Sequence, residues 1–258
     1  MRFIQKLFKK LRAYSSKHGY TCDACGKEVF SYPQERLCAT CNQSLLRNDN
    51  RICDKCGRKT IAEGICLNCK KHPPAFTKGF SPFVYKGETA SLINRVKNGK
   101  RRLGYFFGEA MAEYFLASYP KVTQFSIEQT ETAPLLLLPV PMSEQDRKIR
   151  GYNQAVDLAE VIQEKLTKAG FRVQLGENVL LKIKNTPPQK QRSFFERREN
   201  LKGAFHVHKR TECKGRVILL IDDIMTTGAT ADECTERLLG AGAKEVLFLT
   251  ATALPEQR

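Results

Sequence analysis

The sequence predicts an α/β protein, a parallel sheet flanked by helices and preceded by a small cysteine-rich module. Three observations predict it. From Ala75 onward, apolar strand-like runs alternate with helical stripes, and strand–helix–strand order at this pitch requires parallel pairing. Eight of the ten cysteines fall between Cys22 and Cys69 as four CxxC pairs, while Cys213 and Cys234 stand alone. A chain of 258 residues that is 41% apolar can fill a core of this kind.

Three regions follow in order: a basic leader over 1–18, a cysteine-rich module over 19–74 and an α/β domain over 75–258. In the leader, Phe3, Ile4, Leu7, Phe8, Leu11 and Tyr14 recur at helical spacing among basic residues. A terminal helix laying its apolar stripe on the rest of the protein is the expectation. Contact with an acidic membrane surface, a nucleic acid or a partner is the alternative. The leader lacks the continuous apolar stretch and small-residue cleavage site of a secretory signal. The runs VILLI and LLLL are far short of the ~20 apolar residues a spanning helix needs. The expected location is therefore the cytoplasm, with peripheral contact at the inner face of the membrane as its variant.

The module reads as a duplication. CDACGK at Cys22 and CDKCGR at Cys53 are near copies, each followed by a plainer pair, CATC at Cys38 and CLNC at Cys66. Two thiolates three residues apart can converge on one tetrahedral ion, and a second pair completes the site. Four pairs predict a double zinc ribbon with two structural Zn²⁺ sites, Cys22, Cys25, Cys38 and Cys41 at one and Cys53, Cys56, Cys66 and Cys69 at the other. Crossed pairing, an iron–sulfur cluster and disulfides are the alternatives, the last disfavoured in a reducing compartment. Four sulfurs per ion leave no open position, so neither site is expected to be catalytic. Pro73 and Pro74 mark the seam with the next region.

In the α/β domain, APLLLLPV reads as a buried strand. Ala155, Leu158, Ala159, Ile162 and Leu166 form a helical stripe closed by Gly170. RVILLI is a second buried strand, followed by a helix over 227–239 and a third strand around EVLFLTA. The stretch VILLIDDIMTTGATADE carries the chemistry: Asp222 and Asp223 at a strand's carboxyl end, then Thr226, Thr227, Gly228, Ala229 and Thr230 opening a helix. Carboxylates accept from sugar hydroxyls, while hydroxyls and N–H groups at a helix start hold a phosphate. A ribose 5-phosphate satisfies both. The plain alternative is an acidic strand end with a threonine capping the helix.

This stretch resembles the phosphoribosyl-pyrophosphate motif of type I phosphoribosyltransferases. With the cysteine-rich module, PVP…RGYNQA and Q…R…R…N…GAF, the chain after its leader is similar to the ComF family of competence-associated proteins, most of all its ComFC type. The resemblance implies a phosphoribosyltransferase-like fold in which Asp222 and Asp223 meet the ribose hydroxyls and Thr226 to Thr230 cradle the 5-phosphate. It also implies a part in natural transformation, with phosphoribosyl pyrophosphate, single-stranded DNA, a DNA helicase and other competence proteins as partners. If the domain is catalytic, Mg²⁺ would stabilise the departing pyrophosphate. Arg147 and Arg150, beside the expected pyrophosphate loop, would be its clamps. No segment names an acceptor base. A transferase acting on a base, and an adaptor docking a helicase through its cysteine module, therefore stand as alternatives.

Lys plus Arg number 43 against 27 Asp plus Glu, a formal charge of +16. Two basic stretches, Lys86 to Arg102 and Lys182 to Arg198, are expected to bind single-stranded DNA with little sequence preference. In the second, Phe194 and Phe195 would stack on bases; a core role for both phenylalanines is the alternative. Lys97, in LINRVKNGKRR, reads as one of a solvated cluster.

Overall fold

The computed structural model describes residues 21–30, 35–119, 133–184 and 194–257, without the side chains of Phe194, Phe195 and Arg197. The expected leader helix and the stacking role of the two phenylalanines lie outside what is described. Two compact units divide at Leu45 and Leu46.

The smaller unit holds the first cysteine repeat. Its turn is closed by Cys22 N–H to the Lys27 carbonyl (2.7 Å) and Gly26 N–H to the Cys22 carbonyl (2.9 Å). Helix α1 (Ala39–Gln43) starts at Cys38. The larger unit repeats this pattern: 31 positions on, Cys53 N–H meets the Arg58 carbonyl and Gly57 N–H meets the Cys53 carbonyl, and 28 positions on, α2 (Leu67–Lys71) starts at Cys66. The duplication read from the motifs is thus repeated bond for bond in the backbone.

The larger unit continues with β1 (Lys78–Phe80), β2 (Phe83–Val84), α3 (Gly87–Lys97), α4 (Arg101–Ser118), β3 (Leu135–Pro139), α5 (Glu144–Arg150), α6 (Gln154–Lys168), β4 (Val173–Leu175) and β5 (Leu180–Lys182). Then come α7 (Phe194–Leu201), β6 (Phe205–Val207), α8 (Arg210–Cys213), β7 (Val217–Met225), α9 (Ala229–Gly240) and β8 (Glu245–Ala253). The main sheet runs β1-β8-β7-β3-β4, with β2 also on β8, and every described pairing in it is parallel. β1 and β2 meet β8 in one register, Phe80 opposite Leu249 and Phe83 opposite Thr252, so they are a single edge strand interrupted at Ser81 and Pro82. Proline cannot donate to a ladder, and an edge tolerates it. β5 and β6 form a separate antiparallel pair. No described helix is long and apolar enough to cross a membrane.

Period-two alternation sorts the core strands onto two faces. Leu136, Leu138, Ile218, Leu220, Val246 and Phe248 share one buried cluster with α9 and with the cysteines of the second repeat. The intervening Leu137, Leu219, Ile221, Leu247 and Leu249 are also buried, on the side of α4 and α6. The second cysteine quartet is therefore part of the core under the sheet.

Candidate functional site

The strand order places a topological switch point between β3 and β7: from β3 the chain moves outward to β4, while β7 and β8 lie on its other side. Open α/β sheets bind ligands in the crevice beyond the carboxyl ends at such a point. Two loops meet there, one after β3 and one after β7. Val140 N–H donates to the Ile221 carbonyl (2.8 Å), tying their roots together.

After β7 the chain turns through Gly228, at φ 90°, into α9. That φ suits glycine, which has no Cβ to clash. Thr227 Oγ1, one residue before the Gly228 N-cap, accepts the Ala229 N–H (3.3 Å). The remaining first-turn N–H groups are those that any α-helix leaves without an internal partner. The helix begins two residues later than its sequence pattern suggests, because Gly228 takes the N-cap position.

Asp222 and the whole of Thr226, Thr227, Gly228, Ala229 and Thr230 line one small, open concavity of about 50 Å³, together with Leu201 and Phe248. Asp223 does not line it. Consecutive strand residues face opposite sides, and Asp223, only 8% exposed, instead pairs with Lys97 on α3 (Oδ2 to Nζ, 3.3 Å). Lys97 therefore belongs to the site's support and not to a solvated cluster. Burial pushes the Asp222 carboxyl up to about 8, and the adjacent Asp223 charge adds to this, partly offset by the Asp223 N–H donated to Asp222 Oδ1 (2.8 Å) and by Lys97. Burial lowers the Lys182 ammonium of β5, while Asp146 and Asp222 act in the opposite direction, so this lysine is within electrostatic range of the acid.

The loop after β3 is built by two caps. Ser143 Oγ accepts the Asp146 N–H (3.1 Å) at the start of α5. Asn153 starts α6, taking the Ala155 N–H on Oδ1 (3.0 Å) and donating Nδ2 to the Val140 carbonyl (3.0 Å). Arg147 and Arg150 stand exposed on α5, with no described ion pair to Asp222 or Asp223. Arg101 is held by both Asp157 oxygens (2.6 and 2.5 Å) and lies over the Tyr152 ring (5.1 Å). With Lys97 also paired, two of the six basic residues from Lys86 to Arg102 are committed to carboxylates inside the fold. Arg198 reaches Asp232 (3.8 Å) and Glu236 (3.7 Å), joining α7 to α9.

Each cysteine quartet gathers its four sulfurs within 4.8 Å of one another. The separations Cys25 Sγ to Cys38 Sγ (3.7 Å) and Cys56 Sγ to Cys66 Sγ (3.8 Å) match the ~3.8 Å edge of a tetrahedron with ~2.3 Å metal–sulfur bonds. The sequential pairing is the one formed, and either quartet could hold a metal ion. The second is wholly buried, whereas Cys25 is exposed. Arg58, 3% exposed, donates Nε to Cys56 Sγ (3.2 Å) and Nη2 to the Thr226 carbonyl (3.0 Å). Burial alone would lower its pKa, but Cys56, Cys66 and Cys69 outweigh burial and raise it.

No family model matches the chain. Among curated proteins it is similar to Competence protein F of Haemophilus influenzae, 26% identical over 87% of this chain and 86% of that one. It is 24% identical to Competence protein ComFC of Bacillus subtilis, over 81% of this chain and 80% of that one. It is 25% identical to the DNA utilization protein YhgH of Escherichia coli K12, over 84% and 90%. These relatives bear out the resemblance carried by the motifs. Among solved structures, the hypoxanthine-guanine phosphoribosyltransferase of L. donovani aligns over 61% of this chain and 81% of that one, with a TM-score of 0.35 and 11% identity. The enzyme of Leishmania tarentolae in complex with GMP aligns over 58% and 66%, at 0.32 and 14%.

Proposed function

We propose that this chain is a competence-associated protein that binds phosphoribosyl pyrophosphate beyond β7 and handles single-stranded DNA during uptake. The observation that carries the ligand assignment is the single concavity shared by Asp222 and Thr226–Thr230 at the switch point of the sheet. A helix start favours an anion. Asp222, close by, offers an acceptor for a ribose hydroxyl once it is ionised. The names of the relatives, competence and DNA utilization, support the wider role.

The residues fit two kinds of ion. Zn²⁺ suits both quartets, since closed sets of four thiolates are a common way of holding structural zinc. Mg²⁺ suits the concavity, because it is commonly held by one carboxylate together with substrate phosphates, and Asp222 supplies that carboxylate. When bound, it neutralises pyrophosphate charge. The chain's own part is positioning: Lys97 holds Asp223 away from the ligand side, and Ser143 and Asn153 fix the loop that carries Arg147 and Arg150. The remaining basic surface, together with the formal +16, supports a nonspecific hold on DNA phosphates.

Calorimetric titration of the zinc-loaded protein with phosphoribosyl pyrophosphate and Mg²⁺ tests the ligand assignment. Binding that Thr230→Val and Asp222→Asn each weaken at least ~10-fold is expected. Wild-type protein that takes up no ligand would refute it. For DNA, anisotropy with a labelled oligonucleotide should show affinity falling steeply with salt.

A further inference from the structure

We propose that Arg58 is a positioning residue for the loop after β7, so that the second cysteine quartet sets the geometry of the candidate phosphate site. Two independent comparisons within the molecule lead there. The first is between the repeats. Arg58 occupies the position that Lys27 holds in the first repeat, and both carbonyls close the same turn. Lys27 is exposed, whereas Arg58 is 3% exposed and bonded at both ends of its fork. The turn itself does not require a buried guanidinium, since the first copy is built without one.

The second comparison is between the two things Arg58 touches. Nε meets Cys56 Sγ at 3.2 Å, and Nη2 meets the Thr226 carbonyl at 3.0 Å, across 168 residues of sequence. A guanidinium is planar and rigid, so one end fixes where the other points. A trans peptide sets its C=O and N–H on opposite sides. Drawing the Thr226 carbonyl toward Arg58 therefore turns the Thr227 N–H away from it, and Thr227 lines the concavity. A metal-bound Cys56 is a thiolate, a stronger and better-placed acceptor than a free thiol.

A further bond ties the two regions. Asp232, on the first turns of α9, accepts the Ala75 N–H on Oδ1 (3.0 Å), just past the second repeat. Its own N–H donates to the Gly228 carbonyl (2.9 Å). The loop is thus held at Thr226 by Arg58 and at Gly228 through Asp232.

Arg58→Lys keeps the charge but loses the fork, and a lysine cannot span both partners with fixed geometry. In the zinc-loaded full chain, three quantities are measured: bound zinc, hydrogen exchange of the 226–230 amides, and affinity for phosphoribosyl pyrophosphate with Mg²⁺. The expected result is unchanged zinc, faster exchange confined to that loop, and affinity ~10-fold weaker. Lys27→Met is the control and should change none of them. Loop exchange and affinity equal to wild type in Arg58→Lys would overturn the proposal. So would loss of zinc, which would make Arg58 a prop of the quartet and not of the loop. The affinity arm rests on the ligand reading given above, but the exchange arm does not. Wild-type protein that fails to bind the ligand overturns that reading and leaves the exchange result to decide Arg58.

Discussion

Removing Lys97 should cost far more than removing the carboxylate it pairs with. Asp223 has 11% of its side chain exposed and Lys97 has 28%, with 3.3 Å between the charges. At an effective dielectric near 20, unit charges at that distance attract by about 5 kcal/mol. Breaking a fully buried pair by deleting one partner costs about 3–5 kcal/mol. Because the lysine is partly exposed, about 2 kcal/mol is the reasonable figure for Lys97→Met, which strands a buried carboxylate. In a protein of this size that corresponds to a fall of roughly 4–8 °C in Tm. Asp223→Asn should cost less than about 1 kcal/mol, because the long lysine can swing its ammonium into water. The double variant should recover most of the Lys97→Met loss, since an amide needs no cation. Urea or thermal unfolding of the four proteins gives the cycle directly. Equal losses in the two single variants, or no recovery in the double, would refute the reasoning.

Asp222 makes stability depend on pH. Its folded pKa, about 8, lies above the ordinary 3.8, so the folded state keeps a proton that the unfolded chain loses. The group's contribution therefore becomes less favourable as pH rises from about 4 to about 8. Asp222→Asn should raise Tm above pH 8 and lose that advantage toward pH 4, as melting curves across the range would show. The two repeat glycines should differ sharply. A Cβ on Gly57 would lie 2.3 Å from the Gly79 carbonyl oxygen, but one on Gly26 meets nothing within 4 Å. Gly57→Ala should abolish a folded second quartet, whereas Gly26→Ala should cost only the ~1 kcal/mol of its positive φ, as zinc content and melting would report. Chelator titration should release two equivalents of zinc, the exposed quartet first and the buried one only as the core opens.

Much of this arrangement was legible because its determinants are local. CxxC spacing and the Gly after each first pair report a knuckle within six residues, and the knuckles form as read. VILLI followed by TTGAT reports a strand and a helix start in the same way. The opposite facing of Asp222 and Asp223 is implicit in the strand period; their partners are not. Lys97 lies in a run of lysines and arginines that looks solvated, and only the packing of α3 brings it to Asp223. Arg58 reads as one more basic residue of a ribbon until the fold carries Thr226 to it across 168 positions. Arg101 and Asp157, 56 residues apart, are another pair of this kind. Such pairings depend on tertiary packing, and no window of sequence contains both members.

The chain beyond β8 returns to the second repeat. Glu256 accepts the Ile61 N–H (3.0 Å) and the Leu67 N–H (2.6 Å), and its own N–H donates to the Lys59 carbonyl (2.8 Å). These bonds span 195 and 189 residues. At synthesis rates of about 5–20 residues per second, that is a delay of roughly 10–40 s between a knuckle leaving the ribosome and its clasp following it. The bonds described around the first repeat, Cys22 N–H to the Lys27 carbonyl and Asp23 N–H to the Arg36 carbonyl, span at most 13 residues. The bonds around the second repeat are therefore completed only once the segment after β8 has been made, long after its four cysteines have emerged.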